Sequence, residues 1–189
     1  KLSAENLPGE DAPMHREISF SREIFIERED FMEHPTAGYN RLFPGGMVRL
    51  KHAFIIKCNE VIKNADGSVK ELHCTYFPES RSGSDKSGIK VKGVMHFVNA
   101  ADAIDVEVRM YDRLFNVEAP DAGEEDFIKY LNPDSLKIIS AAKAEPALGL
   151  AKPGDKFQFL RLGYFCADKD SGPSKLIRSE EHTSELQSR

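Results

Sequence analysis

The sequence predicts a mainly β protein of the barrel or sandwich kind, with one or two short helices. Three observations carry this. Short runs alternate apolar and polar residues with a period of two, which gives a strand one buried and one wet face. Clusters of Gly, Pro, Asn and Asp separate these runs at short intervals. Helical periodicity is scarce, and neither an internal repeat nor a coiled-coil heptad is present.

The strands follow in order. In Ile18-Ser-Phe-Ser-Arg-Glu-Ile-Phe-Ile26, Ile18, Phe20, Ile24 and Ile26 share one face. Met47 to Ile62 repeats the pattern through Val48, Leu50, Phe54, Ile56 and Cys58, with His52 as a polar exception. Asp66-Gly67 marks a hairpin, because Gly accepts the positive φ of a tight turn, and Ser68 to Phe77 is the return strand. Residues 78–88, rich in Ser, Gly and charge, read as a mobile loop. Lys90 to Val98 and Ile104 to Met110 are further strands. Glu124 to Leu131 is the best short helix: its acidic start suits the helix dipole and Asn132-Pro133 ends it. Leu136 to Ser140 and Lys156 to Cys166 complete the set.

Pro120 and Gly123 interrupt the pattern near residues 115–123 and divide the chain. The expected organisation is a linker over 1–15, a first barrel region over 16–115 and a second over 116–177. Residues 178–189, with only Leu186 to bury, are expected to lie outside the fold. This peptide also looks like the translation of a sequencing-adapter oligonucleotide. The chain does not begin with Met, so an upstream part is expected.

Composition narrows the function. Charged residues make up 30% and no apolar run approaches the ~20 residues of a membrane span, so a membrane role is not expected. Cys58, Cys74 and Cys166 are odd in number and lack zinc spacing, which fits reduced thiols in the cytoplasm. The scattered histidines show no metal spacing. A net charge of −5 lowers the expectation of duplex binding, but a reader of a few splayed bases needs only a local basic cluster.

Six segments carry a family resemblance in a fixed order. They are Arg22-Glu-Ile-Phe-Ile-Glu-Arg-Glu-Asp-Phe31, Tyr39-Asn-Arg-Leu-Phe-Pro-Gly-Gly-Met-Val-Arg-Leu-Lys51, Lys90-Val-Lys-Gly-Val-Met-His-Phe-Val98, Glu107-Val-Arg-Met-Tyr-Asp-Arg-Leu-Phe115, Leu131-Asn-Pro-Asp-Ser-Leu136 and Phe157-Gln-Phe-Leu-Arg-Leu-Gly-Tyr-Phe-Cys166. Across residues 14–177 the chain resembles the C-terminal, anticodon-binding half of bacterial glutaminyl-tRNA synthetases. That resemblance implies two antiparallel β-barrels of the ribosomal protein L25-like kind. It implies tRNA(Gln) as partner, a monomer, and ATP, Mg2+ and glutamine bound by a catalytic half whose nucleotide motifs are absent from this sequence. No cofactor is expected in this part, which is expected to be non-catalytic. Two alternatives remain open: the same domain of an archaeal or eukaryotic-type glutamyl-tRNA synthetase, and a ribosomal-type RNA-binding or protein-interaction barrel.

The resemblance assigns candidate anticodon readers. Arg49 and Lys51 lie two apart on an expected strand, about 6–7 Å from each other on one face. Their family counterparts contact the first anticodon base and its phosphates. Lys51 stands where relatives carry Arg, so it is expected to hold phosphate, since an ammonium lacks the two-pronged fork of a guanidinium. Arg41 corresponds to the reader of the third base. Gln158 and Arg161 match the pair holding the middle base, a uracil. Strict alternation puts these two on opposite faces, so a bulge or strong twist is expected to bring them together.

Overall fold

The computed structural model describes residues 1–6, 15–122, 126–172 and 175–180. It divides into two compact units, Lys1–Ala103 and Ile104–Arg189. The first holds β1 (Leu2–Glu5), β2 (His15–Ile18), β3 (Ile24–Phe25), β4 (Met47–Leu50), β5 (Ile55–Lys63), β6 (Val69–Phe77), β7 (Val94–Met95) and β8 (Val98–Asn99). Its main sheet has the order β6-β5-β4-β7, with β4 and β7 parallel. Two small antiparallel pairs, β1-β2 and β3-β8, accompany it.

One core serves these sheets. Val48, Leu50, Ile56 and Cys58 from the main sheet pack with Leu2, Phe31, Leu42, Met95 and Phe97, while Ile18, Phe20 and Ile24 close over them. Phe20 meets Phe54, Tyr76 and Phe97 at ring separations of 5.2, 5.7 and 5.7 Å. Tilted and edge-on aromatic contacts of this kind add to the gain from burial. The Asp66-Gly67 hairpin forms as the sequence indicates, with Gly67 at φ 83° and Asn64 N–H donating to the Ser68 carbonyl at 2.9 Å.

The second unit holds β9 (Ile104–Tyr111), β10 (Leu136–Ala144), β11 (Lys156–Phe159), β12 (Gly163–Ala167) and β13 (Ile177–Glu180), in the order β10-β9-β13-β12-β11. Its core is Val106, Val108, Ala144 and Phe165, backed by Ile104, Leu148 and Phe159.

Among the described residues, two antiparallel barrels do not form. A barrel requires the last strand to hydrogen-bond to the first. Here β6 and β7 end one sheet, and β10 and β11 end the other. Both sheets are mixed, through the parallel pairs β4-β7 and β13-β9. In the first unit the apolar face is covered by side chains of β1 to β3 packed across it, which removes water without closing the ladder. The short helices are 3-10 turns at Arg28–Asp30, Pro78–Ser80, Phe127–Tyr130 and Pro146–Leu150. The turn at Phe127–Tyr130 is capped by Asp126, whose carboxylate accepts from Ile128 N–H at 3.0 Å. Glu124 and Glu125, the expected helix start, lie outside the described residues.

Other boundaries move for local reasons. The expected strand over 18–26 splits into β2 and β3. The expected strand over 47–62 breaks at Lys51–Ala53, where His52 takes φ 61° and the chain reverses. The polar exception in the alternation is therefore the turn. The division between units falls at 103/104 rather than near 115, because β9 pairs with β10 and β13. Residues 178–180, expected outside the fold, belong to β13 between β9 and β12. Arg178 is fully buried there. It donates Nη1 to the Ile177 carbonyl at 2.8 Å and Nη2 to the Leu148 carbonyl, and lies over the Phe157 ring. Residues 181–189 lie outside the described residues.

Gly93 sets the spacing of the first unit. A Cβ there would sit 1.8 Å from the Asn40 carbonyl oxygen, while the Gly93 carbonyl accepts from Arg49 N–H at 3.1 Å. Replacing Gly93 with Ala must push the 39–43 connection away from β4. The expected cost is about 1–3 kcal/mol, the usual range for overpacking. It is measured as a lower urea midpoint of the Gly93→Ala chain, and an unchanged midpoint contradicts the close approach.

Candidate functional site

In the first unit the candidate cations cluster around β4. Arg49 lies on β4 between Ile55 of β5 and Val94 of β7. Its guanidinium reaches over the following loop: Nη1 donates to the Ser80 carbonyl at 2.6 Å and Nη2 pairs with Asp85 Oδ2 at 2.5 Å. The side chain is about one-fifth exposed, with 21% of its surface open. The loop expected to be mobile is built around this tie. Ser80 is buried, accepts from Ile55 N–H at 2.7 Å and donates to the Phe77 carbonyl at 2.6 Å. Ser82 N–H donates to the Ala53 carbonyl at 2.8 Å, and Lys86 N–H to the Glu79 carbonyl at 2.8 Å.

Asp85 accepts from the Ser87 hydroxyl and amide at 2.7 and 2.8 Å. Those bonds, and then the Arg49 charge, hold its carboxyl below the ordinary carboxylate range. Lys51 sits one residue past the end of β4, its N–H donating to the Met95 carbonyl at 2.9 Å. Arg49 N–H and Lys51 N–H thus both donate toward the β7 side, to the Gly93 and Met95 carbonyls, and both residues are half-buried, alternating with the buried Val48 and Leu50 positions. Among the described residues no hydrogen bond or ion pair engages the half-buried Lys51 side chain.

Arg41 precedes the isolated parallel bridge between Leu42 and Phe31. Its Nε donates to Asp30 Oδ1 at 3.1 Å and its Nη1 to the Asn40 carbonyl at 3.2 Å. Asp30 is buried, and Leu42 N–H donates to its backbone carbonyl at 3.0 Å. A buried carboxylate needs such a partner, so Arg41 has a structural task before any other. The connection carrying Arg41 touches Gly93, whose carbonyl also holds β4. Backbone contacts thus register Arg41 against Arg49.

In the second unit, Gln158 is exposed on β11 opposite Tyr164 of β12. Arg161 is not on a strand. Leu162 N–H donates to the Phe159 carbonyl at 2.9 Å, closing a turn with Arg161 at its third position and φ 70°. This is the positive-φ site of a type II-like turn, where Gly or Asn is usual. The single strand expected over 156–166 is a hairpin, and the alternation argument against Gln158 and Arg161 does not apply across its turn. An Arg held at positive φ costs backbone energy, and such strain concentrates at functional positions.

Sequence reasoning missed Tyr164, which is 46% exposed beside Gln158 and presents an aromatic face next to an amide. It stands in the quoted 157–166 segment, but its pairing is legible only once the hairpin is known. Asp30 and Asp85 were missed as well, because each meets its Arg across a loop. Among the described residues, no group of three or more His, Cys, Asp or Glu could hold a metal ion. No helix there is long and apolar enough to cross a membrane.

Comparison with known families gives two matches, both described as the anticodon-binding domain of class I tRNA synthetases of the E and Q type, over residues 1–77 and 94–168. The chain is 50% identical over 180 residues to a glutamine–tRNA ligase of Pseudomonas syringae, covering 94% of this chain and 31% of that protein. It is 51% identical over 176 residues to the ligase of that name in Cupriavidus necator, covering 88% and 30%. The corresponding figures for Rhodopirellula baltica are 48% over 178 residues, covering 93% and 30%. The chain spans less than a third of the length of these relatives.

The Arg49–Asp85 pair has a measurable electrostatic signature. A carboxyl whose folded pKa is depressed stabilises the fold at pH above its unfolded value, about 3.9. That contribution fades as pH falls through the lower folded value. In Arg49→Gln the Asp85 carboxyl is expected to titrate at higher pH than in the parent, yet still below an ordinary Asp, because the Ser87 bonds remain. Carboxyl-carbon NMR titration reads this directly. An Asp85 titration unmoved by Arg49→Gln contradicts the pairing.

Proposed function

The chain belongs to the anticodon-binding domain family of class I tRNA synthetases of the glutamate and glutamine type, and from that premise we propose that it reads the anticodon of tRNA(Gln). In this reading it is the recognition part of a longer, cytoplasmic, monomeric glutamine–tRNA ligase. The rest of that enzyme binds ATP with Mg2+ and glutamine, forms glutaminyl adenylate and transfers the acyl group to the tRNA. The glutamine name carried by the compared relatives supports glutamine over glutamate.

The observation that carries the reading is the set of donors fixed at chain positions that match the family in order. Unstacked bases are recognised by stacking and by hydrogen bonds to their edges. Arg49 on β4 is held by Asp85 and the Ser80 carbonyl, and Arg41 in the 39–43 connection by Asp30, which limits the rotamer freedom lost on binding. We assign Arg49 to the first anticodon base, Lys51 to the adjoining phosphate and Arg41 to the third base. Gln158 supplies both donor and acceptor to the middle base, with Arg161 at the hairpin turn as its second contact. Tyr164, exposed beside Gln158, offers the ring on which that base can stack.

Filter binding of a tRNA(Gln) anticodon stem-loop tests this. Arg41→Ala and Arg49→Ala are each expected to weaken binding by about 1–3 kcal/mol, the range for a base-edge contact. Lys51→Ala is expected to weaken all sequences alike and to lower the salt slope by about one. Equal affinity of the parent chain for stem-loops with unrelated anticodons overturns the reading.

A further inference from the structure

Cys58 and Cys74 face each other across β5 and β6. In an antiparallel sheet a residue's N–H and C=O point to the same side. Cys58 N–H donates to the Gly46 carbonyl at 3.0 Å, and its own carbonyl accepts from Gly45 N–H at 2.9 Å. Both backbone groups are thus committed away from β6, so the Cys58–Cys74 pair is the non-hydrogen-bonded kind. That kind brings Cα atoms to about 4.5 Å, inside the span of about 4.4–6.8 Å that a disulfide bridges. Cys58 Sγ donates to the Glu60 carbonyl at 3.8 Å, the two thiols are near enough to perturb each other's protonation, and both are reduced. Cys58 is fully buried, while Cys74 is exposed on β6, an edge strand of the sheet. Cys166, the third cysteine, stands on β12 in the other unit.

We propose that Cys58 and Cys74 are a reversible oxidation site, a cross-strand dithiol that a low-molecular-weight disulfide such as glutathione disulfide converts to an intramolecular disulfide. The Cys74 thiolate attacks one sulfur of the external disulfide. That S–S bond breaks, and the first small thiolate leaves and takes up a proton. Cys58 then loses its proton and attacks Cys74 Sγ, expelling the second small thiolate, which is protonated in turn. Two protein thiols are oxidised and one external disulfide is reduced to two thiols. Although Cys74 is exposed as a residue, local desolvation first, and then the adjacent Cys58, push its thiol up to about 12. Little thiolate is therefore present at neutral pH, so the exchange is slow there and quickens as pH rises. The product ties β6 to β5 beside the bulge at Asn59 without moving the backbone far.

The test treats the folded 189-residue chain with glutathione disulfide, counts thiols after denaturation, and maps linkages by mass spectrometry without reduction. The thiol count is expected to fall from three to one, with the mass lower by two hydrogens and residues 58 and 74 in one linked peptide pair. The Cys166→Ser chain should lose both of its thiols under the same conditions. Cys58→Ser should instead keep glutathione on Cys74, because no resolving thiol remains. Retention of the thiols, a linkage to Cys166, a disulfide between chains, or stable glutathione on Cys74 of the parent chain overturns the proposal.

Discussion

The first unit depends on the close approach of Gly93 to the Asn40 carbonyl. No other residue lets the backbone carrying Arg41 come this near the strand pairing with β4. From that contact follow the Gly93–Arg49 hydrogen bond, the parallel β4-β7 pair and the register between the 39–43 connection and the sheet. A side chain at 93 would separate the two arginines by displacing one of the walls that hold them. The Gly of the Lys90-Val-Lys-Gly93 segment is therefore a packing requirement before it is a family marker.

In the proposed reading, charge placement explains how an acidic chain can serve an acidic partner. The net charge of −5 describes the whole surface, whereas recognition depends on a few donors at fixed points. Arg41 and Arg49 are neutralised internally by Asp30 and Asp85, yet each retains N–H groups beyond those bonds. The acidic partners orient the forks and keep them from searching many rotamers. In that reading a phosphate or base edge competes with a carboxylate at each of them, so binding gains less than the bare charge suggests. Lys51, unengaged among the described residues, carries no such competition.

The strand-rich character and the Asp66-Gly67 hairpin were legible in the sequence, because period-two alternation and a Gly turn are local signals. Barrel closure was not. Whether β6 meets β7, or β10 meets β11, depends on which side chains cover the open face, and those come from residues far apart in the chain. Breaks within strands were readable only in part. His52 interrupted the alternation at the residue where φ turns positive, whereas Leu160-Arg161-Leu162 looked continuous and forms a turn. The candidate donors came from resemblance; their acidic partners did not, since Asp30–Arg41 and Asp85–Arg49 are tertiary contacts. Tyr164 was quoted as part of a motif, and its place beside Gln158 needed the hairpin register.

Photocross-linking tests the central claim most directly. A tRNA(Gln) anticodon stem-loop carrying 4-thiouridine at the middle anticodon position is bound to the chain, irradiated and digested. The account predicts cross-links within residues 156–166, at the hairpin that carries Gln158, Arg161 and Tyr164. Cross-links confined to peptides remote from that hairpin, with binding intact, would contradict it.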